Sequence, residues 1–136
     1  MKGSYVLLIK LDKNITIDIG KLVKLDFVKG FYVYVGSALN GLESRINRHL
    51  RNNKNIHWHI DYFLNSAKII DVYYNENSVK DECIIANNFE KILQNVKDFG
   101  SSDCKCKSHL FYGNFKDIIS IINKLKLNRY TFNENT

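Results

Sequence analysis

The chain has 136 residues and a mass of 15.9 kDa, which is the size of one domain. Hydrophobic residues make up 45% and charged residues 25%, so the composition excludes a disordered chain. No apolar run approaches the roughly 18 residues that a membrane-spanning helix needs. The short apolar run near the N-terminus ends at Lys10 and Asp12, too early for a signal-peptide core. The sequence therefore predicts a cytoplasmic protein that does not associate with membranes.

The charge balance favours an anionic partner. Twenty basic residues against 14 acidic ones give a net charge of +6 and a pI near 9.2. Such a surplus is typical of proteins that bind nucleic acid, although solubility alone would also explain it. The lysines are scattered, whereas Arg45, Arg48 and Arg51 fall within seven residues. Because a guanidinium can bind phosphate through two hydrogen bonds, this cluster favours DNA binding.

The predicted elements mix strands and helices without a regular β-α-β alternation. Residues 3–11, 14–20 and 31–35 have strand patterns. Helical spacing of apolar residues follows over 39–52 and 56–64, then a strand over 68–74 and a helix from 78 to about 96. A loop over 99–108 precedes a helix over 115–125. This order predicts an α+β fold (α/β in the broad sense) with a small antiparallel central sheet flanked by helices, over residues 1–130. Residues 131–136 form a polar tail.

The helix over 39–52 places its basic residues in two groups. Its buried stripe is defined by Leu42, Ile46 and Leu50. Arg48 and Arg51 then project into solvent, where they can meet a phosphate backbone. Arg45 and His49 lie on the flank of the stripe, from which they can reach the end of the sheet. An ordinary solvated helix face would show a similar cluster of charge.

The helix from residue 78 carries a carboxylate on its apolar stripe. The stripe contains Val79, Glu82, Ala86, Phe89 and Leu93. A carboxylate there is unfavourable unless it is paired or bound to a metal. The alternatives to a metal ligand are an internal ion pair and a frayed first turn in which the side chain of Glu82 reaches water.

The segment over residues 54–62 mixes basic, aromatic and acidic side chains. Its candidate DNA contacts are Lys54, His57 and Trp58. Trp58 or Tyr62 could stack on a base, or both could be packing residues. His59 and Asp61 could form a second polar cluster, and the sequence leaves this point open.

Three cysteines in a chain without a secretion signal argue against a disulfide framework. Cys104, Cys106 and His109 form a C-x-C-x2-H cluster, with Cys83 or another histidine as a conceivable fourth ligand. Zinc is therefore open as a structural metal. The spacing is not that of a standard zinc finger, and the alternative is an ordered loop with reduced thiols.

Taken together, these residues resemble the GIY-YIG nuclease superfamily. The resemblance is carried by Gly3-Ser4-Tyr5, Tyr34-Val35-Gly36, Arg45, His49 and Glu82. Residues 36–39, 57–62 and 102–111 are similar to signatures of its small stand-alone branch in archaea and bacteria, the Uri-type branch. Two features depart from the pattern: Ser4 replaces an apolar residue, and a segment of about residues 14–29 is inserted. The resemblance implies a sheet of about three antiparallel strands and metal-dependent hydrolysis of DNA phosphodiesters.

The resemblance also implies roles for the residues. Tyr5 acts as general base with Tyr34 in support, although a free tyrosine has a pKa of about 10 and needs a cation to lower it. Arg45 stabilises charge on the phosphate, and His49 relays a proton or contacts phosphate. Glu82 holds Mg²⁺ or Mn²⁺. Sequence specificity is expected to be low unless a partner protein supplies it. The alternative is a nucleic-acid-binding module without catalysis.

Overall fold

The computed structural model describes residues 2–19, 23–38, 40–51, 58–76, 81–96, 99 and 108–132. The strands are β1 (Gly3–Leu11), β2 (Ile15–Ile19), β3 (Val23–Phe27), β4 (Gly30–Ala38), β5 (Lys68–Glu76), β6 (Gln94–Asn95), β7 (Leu110–Gly113) and β8 (Asn128–Arg129). The helices are α1 (Leu42–Leu50), α2 (His59–Leu64), α3 (Glu82–Glu90) and α4 (Phe115–Leu125). The predicted bounds of β1 and α4 are confirmed, whereas α3 ends well before residue 96 because the chain turns there into β6.

The main sheet has six strands in the order β6-β7-β4-β1-β5-β8, and every neighbouring pair is antiparallel. The predicted α+β class is confirmed, but the predicted number of about three strands is wrong. The three central strands β4, β1 and β5 have nine residues each, while the outer three have two or four. Segments this short show too little periodicity to be recognised in a sequence. The inserted segment forms a separate hairpin of β2 and β3.

The central strand β1 is buried on both sides of the sheet. Its side chains alternate between two core clusters: Tyr5, Leu7 and Ile9 belong to one, and Val6 and Leu8 to the other. We call these sides the Tyr5 face and the Val6 face. Residues of α1, α2 and the β2–β3 hairpin pack on the Tyr5 face, and residues of α3 and α4 pack on the Val6 face.

The chain returns to the sheet after α4. The backbone N–H of Tyr130 donates to the carbonyl of Val72 at 2.8 Å, and its hydroxyl donates to Oδ1 of Asn47 on α1, also at 2.8 Å. Phe132, at the start of the predicted polar tail, packs against the Tyr5-face core; residues 133–136 lie outside the described part. The longest helix, α4, has 11 residues, and none of the helices described could cross a bilayer.

Candidate functional site

Tyr5 and Tyr34 lie on the Tyr5 face of two adjacent strands. In the register of β1 and β4, Tyr5 lies opposite Gly36 and Tyr34 opposite Leu7. Both tyrosines are buried. A Cβ atom at position 36 would lie 2.4 Å from the hydroxyl oxygen of Tyr5. The Tyr5 ring can therefore lie across β4 only because Gly36 has no side chain.

His49 completes a buried pair with Tyr5. The hydroxyl of Tyr5 and Nε2 of His49 are hydrogen-bonded at 2.7 Å, and the ring of Tyr34 lies edge-on to His49 with centroids 6.2 Å apart. The prediction placed His49 on the flank of α1, but it lies with Leu42 and Ile46 on the buried side. α1 therefore delivers an imidazole directly to the end of the tyrosine pair.

Arg45, one turn before His49, lies between the sheet and α2. Its Nη1 donates to the carbonyl of Ser37, near the end of β4, at 3.0 Å. Its guanidinium carbon lies 4.6 Å from the centre of the Trp58 ring. Its positive charge is near enough to the Tyr5 hydroxyl to lower the pKa of that group, against the effect of burial. The predicted reach of Arg45 to the end of the sheet is confirmed.

Burial raises the pKa of both tyrosine hydroxyls. For Tyr5 the loss of solvent is the largest cause, and the charge and hydrogen bond of Arg45 oppose it. The pKa of Tyr34 is raised well above its usual value, first by burial and then by the neighbouring Tyr5 and Glu82. Both side chains are therefore neutral phenols at neutral pH. Burial therefore favours the protonated hydroxyl of Tyr5 over the phenolate.

Glu82 is the first residue of α3 and is 7% exposed. The predicted apolar stripe around it is confirmed for Ala86, Phe89 and Leu93, which are all buried. Oε2 of Glu82 lies 3.8 Å from Nδ1 of the buried His109. Although α3 packs on the Val6 face, the charge of Glu82 raises the pKa of both Tyr5 and Tyr34. The carboxylate thus acts electrostatically on hydroxyls of the opposite face.

A small hydrogen-bond network fixes the start of α3 against the sheet. Asp81, which precedes the helix, accepts hydrogen bonds from the hydroxyl of Ser4 and, at 3.1 Å, from Nδ2 of Asn75. Oδ1 of Asn75 in turn accepts from the backbone N–H of Ser4 at 3.1 Å. The hydroxyl of Ser4, the residue that departs from the family pattern, is therefore used to hold the residue next to Glu82.

Glu82 is the carboxylate that the sequence analysis assigned to Mg²⁺ or Mn²⁺, and it lies beside Nδ1 of His109. Mg²⁺ prefers oxygen ligands and commonly takes one or two carboxylates, with water and substrate oxygens completing the shell. Among the residues that the structure describes, no group of three or more His, Cys, Asp or Glu side chains could hold a metal alone.

Two of the predicted zinc ligands, Cys104 and Cys106, lie outside the described residues. The sequence argued against a disulfide framework, but Cys83 is disulfide-bonded. Pairing of sulfurs depends on proximity in the fold, which an odd number of cysteines does not reveal. A disulfide sulfur offers no thiolate, so Cys83 is not a fourth zinc ligand. His109 lies with Nε2 4.0 Å from Sγ of Cys83 and with Nδ1 towards Glu82.

The predicted outward projection of Arg48 is wrong. Its side chain is only 18% exposed, and its Nη1 and Nη2 each donate to one oxygen of the buried Asp61 carboxylate at 3.0 Å. The reason is that α2 packs beside α1, which the periodicity of α1 alone cannot reveal. The guanidinium carbon of Arg45 lies 4.6 Å from the centre of the Trp58 ring, and that of Arg48 lies 4.3 Å from it. These contacts favour the packing alternative for Trp58.

A cleft of about 630 Å³ lies along α1. It is lined by Arg45, Arg48 and Arg51 together with neighbouring polar side chains of the helix. Arg51 is exposed, as predicted. The other candidate DNA contacts, Lys54 and His57, lie outside the described residues. Arg48 is already paired with Asp61 and Glu43 also lines the cleft, so the net positive charge of the cleft is smaller than three arginines alone would give.

The sequence left the role of Asp61 open. Its carboxylate also accepts the backbone N–H of Trp58 at 2.9 Å, in a capping-box arrangement at the start of α2. A carboxylate three residues after a helix N-cap is a recognisable signal for that bond. Its pairing with Arg48 has no local signal, because the partner lies 13 residues earlier on another helix.

The chain belongs to the protein family described as a domain of unknown function, DUF123, whose family model matches residues 4–129. That match spans β1 to β8 and includes every described residue of the candidate site. No curated protein and no solved structure matches the chain at a significant level.

Proposed function

We propose that this protein is a metal-dependent endonuclease that hydrolyses DNA phosphodiester bonds, with a fold of the GIY-YIG type. One observation carries the proposal: the Tyr5 hydroxyl is hydrogen-bonded to His49 Nε2 at 2.7 Å and also meets Arg45, within electrostatic reach of Glu82. A hydroxyl, a proton acceptor, a cation and a carboxylate are the groups that attack by water on a phosphodiester requires.

In this mechanism Tyr5 works as a relay rather than as a stored phenolate. The attacking water gives a proton to the Tyr5 oxygen as Tyr5 gives its own proton to His49 Nε2. This sequence needs no free phenolate, which burial disfavours by raising the pKa of Tyr5. Tyr34, beside both rings, orients the water and excludes solvent.

Arg45 stabilises the charge that develops on the non-bridging phosphate oxygens. Its guanidinium is already held by the carbonyl of Ser37 and by the indole of Trp58, so little rearrangement is needed during the reaction. Glu82 supplies the carboxylate for Mg²⁺ or Mn²⁺. When bound, such a cation neutralises phosphate charge and stabilises the leaving oxygen.

The arginine cleft along α1 supports DNA as the substrate. The net charge of +6 and the exposed Arg51 favour binding through the phosphate backbone, which carries little sequence information. A partner protein would then supply any target preference. The cleft also favours a second candidate, a binding module without catalysis, which has no use for a buried Glu82.

Cleavage of a labelled DNA panel separates the two candidates. Duplex, nicked, branched and single-stranded DNA are incubated with the wild-type protein in Mg²⁺, in Mn²⁺ and in EDTA. The nuclease proposal expects cutting of at least one substrate with either metal and none in EDTA. Binding of DNA without cutting under any of these conditions would refute it and support the binding module.

A further inference from the structure

Asp61 joins two helices of the candidate site although it touches none of the proposed reacting groups. Its side chain is fully buried, and both carboxylate oxygens accept hydrogen bonds. Arg48 supplies two of these bonds from α1, and the backbone N–H of Trp58 supplies another at the start of α2. A carboxylate so deep in the protein is tolerated because these donors replace the lost water. Asp61 therefore fixes α2 to α1.

The bond between Asp61 and Arg48 has a consequence for Arg45. The two guanidiniums both lie against the Trp58 ring, and two like charges that share one ring repel each other. Asp61 provides the negative charge that offsets this repulsion, and it also fixes the indole that Arg45 packs on. The indole on one side and the carbonyl of Ser37 as acceptor hold the guanidinium of Arg45 at the end of β4, where its charge acts on the Tyr5 hydroxyl.

We propose that Asp61 is a positioning residue, which acts through Arg48 and Trp58 to hold Arg45 against the Tyr5 hydroxyl. The catalytic consequence rests on the proposed nuclease function, whereas the placement of Arg45 does not. The two can therefore be tested separately, because Trp58 is the single tryptophan of the chain and reports on its own surroundings.

The test uses Asp61→Asn, which keeps the shape but places an amide N–H₂ where Arg48 donates. The matched control is Asp71→Asn. Asp71 accepts from Nε of Arg129 and from the hydroxyl of Tyr73, both at 2.9 Å, and lies opposite Leu8 on the Val6 face. If Asp61→Asn does not fold, Arg48→Lys replaces it, because lysine keeps the charge but loses the two-bond geometry.

Three measurements decide the proposal. Acrylamide should quench Trp58 fluorescence more strongly in Asp61→Asn than in wild type, with no change in Asp71→Asn. The shifts in melting temperature of Asp61→Asn and Arg45→Lys should be non-additive in the double variant, whereas those of Asp71→Asn and Arg45→Lys should add. Turnover by Asp61→Asn should fall about 10²-fold in kcat with little change in KM, since misplacement by about 1 Å has effects of this size.

Unchanged quenching with additive shifts would overturn the positioning role. An equal loss of kcat in Asp71→Asn would also overturn it, because the loss would then report general weakening of the fold. If the wild-type protein cuts no DNA, the nuclease proposal fails, and the quenching and the additivity test still decide whether Asp61 holds Arg45.

Discussion

The two faces of the sheet bury different kinds of side chain, although they alternate residue by residue along the same strands. On the Tyr5 face, the cluster includes buried tyrosines beside His49 and Asp61. On the Val6 face, the core cluster consists of Val, Leu, Ile, Ala and Phe side chains, and the buried polar residues Ser4 and Glu82 lie beside it at the start of α3. One strand thus contributes to a polar site with Tyr5 and to an apolar core with Val6. We therefore expect that mutations in the apolar core and mutations in the polar site can be made independently of each other.

The strongest test of this separation is Glu82, which begins a helix of the Val6 face but acts towards the Tyr5 face. We expect Glu82→Gln to reduce cutting to the level of wild type in EDTA while DNA binding remains. Mn²⁺ should raise the melting temperature of wild type but not of the variant, because a ligand that binds only the folded state stabilises it. Glu90→Gln, at the other end of α3, is the control. Metal-dependent cutting by Glu82→Gln would contradict the assignment.

Tyr5→Phe tests the polar face itself. Turnover should fall by roughly 10²- to 10⁴-fold, because the proton relay loses its hydroxyl while the ring still fills its place. Tyr73→Phe is a matched control: Tyr73 lies opposite Val6 and donates its hydroxyl to Asp71, so it loses a comparable hydrogen bond on the other face. Single-turnover cleavage rates of the two variants check the prediction. If Tyr5→Phe cuts DNA at the wild-type rate, the Tyr5 hydroxyl is not the proton relay.

Phe89→Ala tests the apolar face. Phe89 is fully buried and stacks on Phe111 with ring centroids 6.0 Å apart. Removing the ring should lower the free energy of unfolding by about 3–5 kcal/mol. The cleavage rate per folded molecule should stay near that of wild type at a temperature where the variant is folded. Denaturant unfolding and cleavage assays together check this, and a loss of rate in fully folded Phe89→Ala would show that the faces are coupled.

The raised pKa values of Tyr5 and Tyr34 predict a loss of stability at high pH. Their folded pKa lies above the ordinary value of 10.0, so the neutral form is favoured by folding. This contribution is fully present below pH 10 and is lost as the pH rises through the folded pKa. The free energy of unfolding of wild type should therefore fall more steeply above pH 10 than that of Tyr5→Phe. If these two rings show tyrosinate absorbance in the folded protein just above pH 10, their pKa values are not raised and the prediction fails.

The smallest expected effect concerns DNA binding by Arg51. Arg51→Ala should weaken binding similarly for all sequences and reduce the slope of log K against log salt by about one. Arg129→Ala is the control, since Arg129 pairs with Asp71 at the far edge of the sheet. Binding titrations at several salt concentrations measure the slopes. Equal slopes for Arg51→Ala and wild type would show that Arg51 does not contact phosphates.

The long elements of the fold could be predicted because each carries a clear pattern. β1 and α4 have their predicted bounds, since apolar runs and helical spacing extend over their whole length. β6 and β8 have two residues each and exist only because neighbouring strands supply partners. Their formation depends on tertiary structure, and the sheet was therefore predicted with too few strands.

The candidate site could be predicted where spacing along one element decides the geometry. The burial of Glu82 follows from its place on an apolar stripe. The burial of Arg48 does not follow from α1, because Asp61 on another helix determines it. Likewise, the need for Gly36 opposite Tyr5 depends on the register between two strands. Contacts within one element were accessible from the sequence, and contacts between elements were not.

The bond between Ser4 and Asp81 joins residues 77 positions apart in the chain. This bond holds the start of α3, and with it Glu82, beside β1. During synthesis, β1 leaves the ribosome long before α3 does. Contacts of such separation form only when most of the chain is available. A growing polypeptide would therefore already contain Tyr5, Arg45 and His49 before it had the carboxylate for a cation. An incomplete copy that ends before α3 would therefore lack the carboxylate on which the proposed cation site depends.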